Sequence, residues 1–158
     1  MDDADEAGRW SREEWALLRD APWIVAAGVM SADPSGPIST GKELDTTVAL
    51  LRDAVDEPSV GRLVRAVAAE VAEAPIPDLR VAPAAPSQSL RHVEQVVAVL
   101  GARPGSAGLA YRRWLLALAR AVADAAVDRG FLGLRGPRTS EAERHHLDDL
   151  AEALDLDG

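Results

Sequence analysis

Apolar residues recur at helical spacing along most of this chain. After Pro22, the residues Trp23, Ala26, Ala27 and Met30 fall at i, i+3, i+4 and i+7, which is the spacing of one helix face. No run of alternating Val, Ile, Thr and Tyr is long enough to indicate a strand. The pattern therefore predicts an all-α fold. The inner faces predicted for the later helices are Leu44, Val48, Leu51 and Val55; Leu63, Val67 and Val71; Val93, Val96, Val97 and Leu100; and Leu147, Leu150, Ala151 and Leu154.

Start and stop signals divide this pattern into seven predicted helices. Polar residues with capping-box spacing, and prolines suited to a first helical position, mark several of the starts. The predicted helices are a short one from Ser11 to about Leu18, with Glu14 completing the box; one opened by Pro22; one capped by Thr40 and Glu43; one capped by Ser59; and three over about 89–100, 109–127 and 141–154.

Composition sets the remaining boundaries. The acidic residues 1–9 are expected to form a disordered tail. Four prolines between Ala74 and Ser87 exclude a helix there, so residues 74–87 are expected to form a Pro-rich connector. Residues 10–155 then make one helical domain, and a chain of 158 residues is long enough to bury a single substantial core.

One sequence unit occurs twice. Trp23-Ile-Val-Ala-Ala-Gly-Val-Met-Ser-Ala-Asp33 has the same Trp-to-Asp spacing as Trp114-Leu-Leu-Ala-Leu-Ala-Arg-Ala-Val-Ala-Asp124. Each copy is followed by Gly-Pro-x-[Ser/Thr]-[Ser/Thr]-x-x-Glu, ending at Glu43 and at Glu143. Each part of the unit has an alternative explanation. The Trp-led helices could align by chance because the chain is rich in Ala, and the Ser/Thr-x-x-Glu sequences could be ordinary helix caps. Their conjunction predicts an internal duplication with repeat units 23–55 and 114–154, and a pseudo-symmetric bundle.

This doubled unit resembles the TerB-like (tellurite-resistance protein B) superfamily. The shared features are a small-residue helix that ends in Ala-Asp, a Gly-containing loop, and a Ser/Thr-x-x-Glu sequence that opens the next helix, over residues 23–51 and 114–154. In that family the acid usually stands directly before the Gly, whereas Pro34 and Ser35 intervene here in the first copy and a longer insert in the second. The resemblance implies a non-enzymatic all-α domain of bacterial stress-response or defence systems, with acidic residues that bind a divalent metal.

Oxygen-bearing side chains of both copies give an alternative function, a Ca²⁺- or Mg²⁺-binding sensor. Either cation prefers six or more oxygen ligands, so two converging acidic loops would suit it. The first loop is not an EF-hand, because Ile38 and Leu44 stand where that loop needs Gly and Glu. The simpler interpretation is that the Asp residues close helices or turns and the Glu residues complete capping boxes. The candidate ligands are Asp33, Ser35, Glu43, Asp124, Asp128 and Glu143.

The insert of the second copy, residues 127–136, is unusually apolar for a loop and contains the only Phe of the chain. In one interpretation Phe131 and Leu132 fold back onto the core. In the other, the insert is exposed and binds a protein partner, since exposed apolar patches mark interaction sites. The candidate partner-binding residues are Phe131, Leu132, Leu134 and Arg135.

Charge and composition restrict the function further. The net charge of −9 disfavours binding to nucleic acids and to anionic membranes, since both need clustered Lys and Arg. The absence of Cys excludes disulfides and thiolate metal sites. No signal peptide and no apolar stretch of about 20 residues is visible, so we expect a cytoplasmic protein without membrane insertion. A protein partner is expected, and the oligomeric state stays open.

Few other residues suggest chemistry. His145 and Asp149 stand at i, i+4, which predicts an exposed ion pair rather than a metal or acid–base site shared with His146 and Asp148. His92 is expected to be a half-exposed helix residue. No residues combine a nucleophile with a base and oxyanion donors, so no enzyme is predicted. The residues expected to anchor the core are Trp10, Trp15, Trp23 and Trp114.

Overall fold

The computed structural model describes residues 3–32, 38–77, 85–103, 105–127 and 140–156. These residues form seven α-helices and one 3-10 turn, with no strand among them, and the all-α fold class is confirmed. The helices are α1 (Asp3–Ala7), α2 (Arg12–Ala32), α3 (Ile38–Asp56), α4 (Arg62–Glu73), α5 (Pro86–Gly101), α6 (Ser106–Val127) and α7 (Glu141–Ala153), and the 3-10 turn is Pro58–Val60.

Helix α2 lies at the centre of the bundle and packs against each of the helices α3 to α7. Its residues Val25, Ala26 and Val29 are completely buried. So are Val96 of α5 and Leu115 of α6. Each such Val or Leu contributes about 1.5–3 kcal/mol by leaving water. The core is therefore built mainly from aliphatic side chains, as the helical stripes predicted.

The first two predicted helices are one continuous helix, α2, and Pro22 lies inside it. A proline has no N–H for the carbonyl four residues earlier, here that of Leu18, and its ring pushes against that carbonyl. The hydroxyl of buried Tyr111 on α6 donates to this carbonyl at 2.5 Å. Nε2 of His92 on α5 lies 2.8 Å from the neighbouring carbonyl of Leu17 and donates to it, because a carbonyl can only accept. Packing against α6 thus supplies the donor that Pro22 removes, and α5 adds a contact to the neighbouring carbonyl.

The predicted disorder of residues 1–9 is wrong for residues 3–7, which form α1. This short helix packs against α4. Its Glu6 is only 3% exposed and receives a hydrogen bond from Arg9, whose Nη1 lies 3.3 Å from Oε2. The positive charge of Arg9 offsets the cost of burying this carboxylate. Contact with α4 therefore orders a segment whose composition alone favours disorder.

Two predicted helix starts are also wrong. Helix α3 begins at Ile38, so Thr40 lies inside its first turn rather than at the N-cap. Helix α4 begins at Arg62, and Ser59 belongs to the preceding 3-10 turn. There the Glu57 carboxylate accepts hydrogen bonds from the Ser59 N–H and hydroxyl, at 3.0 and 2.6 Å. The Glu57 carboxylate, a stronger acceptor than the Ser59 hydroxyl, therefore caps an extra turn before α4.

The inner face of α3 is rotated from its predicted position. Its buried residues include Glu43, Thr47, Leu51 and Ala54. The predicted Leu44, Val48 and Val55 are only half-buried. The Thr47 hydroxyl donates to the Glu43 backbone carbonyl at 2.8 Å, so this polar side chain is satisfied within its own helix.

Candidate functional site

An open groove lies beside α2. One wall is α2, the other is the end of α4 and the non-helical residues 74–77 that follow it. Its volume is about 480 Å³, within the range of pockets that hold small ligands or a few side chains of a partner. The lining residues are Arg19, Asp20, Trp23, Ile24, Ala27, Glu70, Val71, Ala74, Pro75 and Pro77.

Apolar side chains form most of this groove and of the crevice next to it. Trp23 and Ile24 are half-buried, so part of each side chain faces solvent. Ile76, between the two lining prolines, is 53% exposed and is the one strongly exposed large apolar residue in the part of the chain that the structure describes. Ile76 and Trp23 also border a crevice of about 30 Å³ beside α3. Apolar surface is therefore concentrated at this place on the molecule.

One end of the groove is charged. The Arg19 Nε lies 2.9 Å from Oδ1 of Asp20, and its Nη1 lies 3.7 Å from Oε1 of Glu70. The other Glu70 oxygen accepts a hydrogen bond from the Trp15 indole N–H at 2.6 Å. The hydrogen bond with Asp20, together with the charges of Asp20 and Glu70, raises the pKa of Arg19. One guanidinium thus serves two carboxylates, and this end carries a net charge of −1.

A buried polar cluster lies on another side of α2, where Gly28 meets α5 and α7. A Cβ added to Gly28 would lie 2.5 Å from Cβ and 2.6 Å from Oγ of Ser89, and 3.0 Å from Nε2 of His146. Both side chains are at least 97% buried. The Ser89 hydroxyl and both His146 ring nitrogens have no hydrogen-bond partner among the described residues. Burial lowers the pKa of His146, against the opposing charge of Asp149, so the neutral imidazole is favoured.

This cluster combines two residue types that occur in acid–base chemistry, a serine and a histidine. Neither Ser89 nor His146 lines the groove beside α2 or the crevice beside α3. A nucleophile needs room for the reacting atom beside it. The contacts observed for both side chains are packing contacts with Gly28 of α2.

Three of the six predicted metal ligands lie within the described residues, and the predicted site stays a prediction. Glu43 and Glu143 are both 2% exposed, and Asp124 is exposed on α6. Glu143 completes the predicted capping box, since its Oε2 accepts from the Ser140 N–H at 2.8 Å and its own N–H donates to the Ser140 hydroxyl at 3.1 Å. No group of three or more Asp, Glu or His side chains in the described ranges is arranged to hold an ion. Outside those ranges lie Asp33, Ser35 and Asp128.

The predicted partner-binding residues Phe131, Leu132, Leu134 and Arg135 also lie outside the described residues. Both interpretations of this insert stay predictions.

The smaller predictions have mixed outcomes. The ion pair of His145 and Asp149 is confirmed, with Nε2 3.7 Å from Oδ2. His92 is half-buried, as expected. The tryptophans pack against the edge of the core rather than inside it; the half-buried rings are those of Trp10, Trp15, Trp23 and Trp114.

Sequence reasoning missed both the groove and the buried cluster. A signal for the cluster existed, because His146 stands three residues after Glu143 and four before Leu150, on the buried face of α7. The groove had no comparable signal, since it joins α2 to residues about fifty positions later in the chain.

None of the described helices is both long enough and apolar enough to cross a membrane. No protein-family model, no curated protein and no solved structure matches this chain. Its function must therefore be argued from its own side chains.

Proposed function

We propose that this chain is a non-enzymatic interaction or regulatory module of the TerB-like kind, which binds an apolar segment of a partner protein in the groove between α2 and α4. The observation that carries the proposal is the apolar groove together with exposed Ile76, which stands between the lining residues Pro75 and Pro77 and borders the adjoining crevice. Apolar surface exposed beside a groove is typical of docking sites. A role in bacterial stress response or defence, which the resemblance implies, belongs to the same proposal.

The shape of the groove favours side chains of a protein segment. Trp23 and the prolines Pro75 and Pro77 present rigid apolar surface, which loses little conformational entropy on binding. Half-buried Ile24 lines the groove without belonging to the buried core. An apolar side chain can therefore enter without displacing residues that hold the fold together.

The test uses the full chain and a library of short random peptides, with affinities measured for those it selects. Ile76→Asp should weaken their binding by about tenfold or more, because a charge then replaces exposed apolar surface between two residues that line the groove. Its stability should change by less than about 0.5 kcal/mol, as at other exposed sites. Ala117→Asp, at an exposed position of α6 that borders none of the described cavities, is the matched control.

Three outcomes would contradict the proposal. The first is failure to select any peptide, and the second is equal binding to wild type and Ile76→Asp. The third is that the wild-type chain sediments as a dimer and Ile76→Asp as a monomer, because a second copy would then occupy the groove.

A further inference from the structure

We infer that the groove selects segments in which a Lys or Arg stands beside the apolar side chains. This inference rests on the proposed function and adds the chemistry of the partner. It follows from the charged end of the groove, where Asp20, Glu70 and Arg19 meet.

The carboxylates at this end have capacity for a further donor. Asp20 and Glu70 are about half exposed, with side-chain exposures of 49% and 42%. Each carboxylate offers about four acceptor positions, and the Arg19 guanidinium and the Trp15 indole use only some of them. A second cation can therefore approach without breaking an existing contact.

The negative charge also continues past the end of the groove. Asp20 borders a second, shallower depression of about 570 Å³ between α2 and α5. The charged side chains that line it are Asp20 and Glu13, while His92 in the same lining is held by the Leu17 carbonyl. A basic residue next to the docked segment thus meets acidic surface on either side of Asp20.

An acidic segment would find no unpaired cation among the described residues that line the groove. Arg19 is the one cation that lines the groove in the described part of the chain, and Asp20 and Glu70 already neutralise it. A carboxylate on the partner would have to compete with both. Charge complementarity therefore favours a basic partner. Such complementarity changes the selectivity and the association rate more than it changes the affinity.

The experiment compares three versions of one peptide that binds in an Ile76-dependent way, with Arg, Gln or Glu beside its apolar residues. In low salt we expect the Arg peptide to bind about threefold to tenfold more tightly than the Glu peptide, as for exposed ion pairs, and the preference to shrink in high salt. In the double variant Asp20→Asn with Glu70→Gln the net charge at this end becomes +1, and the preference should reverse. Both amides keep an acceptor oxygen for Arg19 and Trp15, so the packing is retained.

The possible outcomes separate the two proposals. Equal binding of the three peptides to the wild-type groove would overturn the charge inference and leave the docking proposal standing. A preference for Arg that persists in the double variant would also overturn the charge inference. Failure to find any peptide whose binding depends on Ile76 would overturn the docking proposal and the inference with it.

Discussion

The two Trp-led helices of the doubled unit, α2 and α6, share a sequence spacing but have different surroundings. Two positions illustrate the difference. Val29 of α2 is completely buried, whereas the matching Arg120 of α6 is exposed; Ala26 is completely buried, whereas the matching Ala117 is exposed. Helix α2 is covered on several sides, and α6 keeps an outer face. A repeated helical stripe therefore predicts the helices but not which copy becomes the centre of the bundle.

Two residues of α2 show what its central position requires. Five residues after the Trp, α2 has Gly28 where α6 has Ala119, and directly before the Trp it has Pro22 where α6 has Arg113. Gly28 permits close contact with α5 and α7. Pro22 leaves a carbonyl that α6 must satisfy. Both features work only in contact with other helices, and each can be tested by making the first copy more like a regular helix.

Gly28→Ala, which introduces the residue of the second copy, should have the largest effect. The new Cβ would lie 2.5 Å from Ser89 Cβ, so α5 would have to move away from α2. Overpacking costs about 1–3 kcal/mol and occasionally more, and a contact of 2.5 Å belongs at the upper end of that range, whereas the better helix propensity of Ala returns about 1 kcal/mol. We expect a net loss of about 2 kcal/mol in the free energy of unfolding, measured by urea denaturation.

Gly41→Ala is the matched control, because Gly41 lies in α3 with nothing within 4 Å of an added Cβ. It should stabilise the protein by about 0.5–1 kcal/mol through helix propensity alone. Combining Gly28→Ala with Ser89→Gly removes the two closest obstacles and should recover part of the loss. If Gly28→Ala stabilised the protein as Gly41→Ala does, the close packing around α2 would be refuted.

Tyr111→Phe should have the next largest effect, because it removes the donor to the Leu18 carbonyl. A buried acceptor left without a partner costs about 1–3 kcal/mol. Burial, with a smaller contribution from the charge of Asp20, raises the pKa of Tyr111 well above its ordinary value, so the hydroxyl remains a donor at any ordinary pH. We expect a loss of about 1–2 kcal/mol in the free energy of unfolding.

Pro22→Ala gives the corresponding double-mutant cycle. It restores a backbone N–H that can donate to the Leu18 carbonyl, so Tyr111→Phe should cost less in this background than in the wild type. Equal costs in the two backgrounds would show that the Tyr111 hydroxyl does not replace the bond that Pro22 removes.

These contacts explain how far the sequence could predict the structure. Spacing and capping signals located most helices, including the Ser140–Glu143 box at the start of α7. They failed at Pro22, where the continuation of the helix depends on Tyr111, eighty-nine positions away. The groove could not be predicted for the same reason, because Trp23 and Pro75 meet only through the packing of α2 on α4. Local propensity is visible in one sequence, and the pairing of distant helices is not.

The smallest expected effect on the free energy of unfolding comes from the protonation of His146, the residue of α7 that lies against Gly28. His146 is buried there, whereas the matching position of α3 has the non-titrating Thr46. Because burial lowers the pKa of His146 below its ordinary value of 6.5, the unfolded chain takes up a proton at a higher pH than the folded chain. The free energy of unfolding should therefore be highest above about pH 6.5 and decrease as the pH falls towards the folded-state pKa.

Urea midpoints at about pH 7.5 and about pH 5.5 measure this dependence, and His146→Gln should reduce the loss of stability between them. His145→Gln is the control, because exposed His145 lies next in sequence but pairs with Asp149 at the surface. That variant should retain most of the pH dependence of the wild type, because burial is the largest cause of the lowered pKa of His146 and the charge of His145 is a smaller one. An NMR titration of the wild-type imidazole gives a second measurement that does not rely on a variant. A folded-state pKa of His146 at or above 6.5 would mean that α7 tolerates a charge against α2, and the contrast between the two copies would then not extend to their second helices.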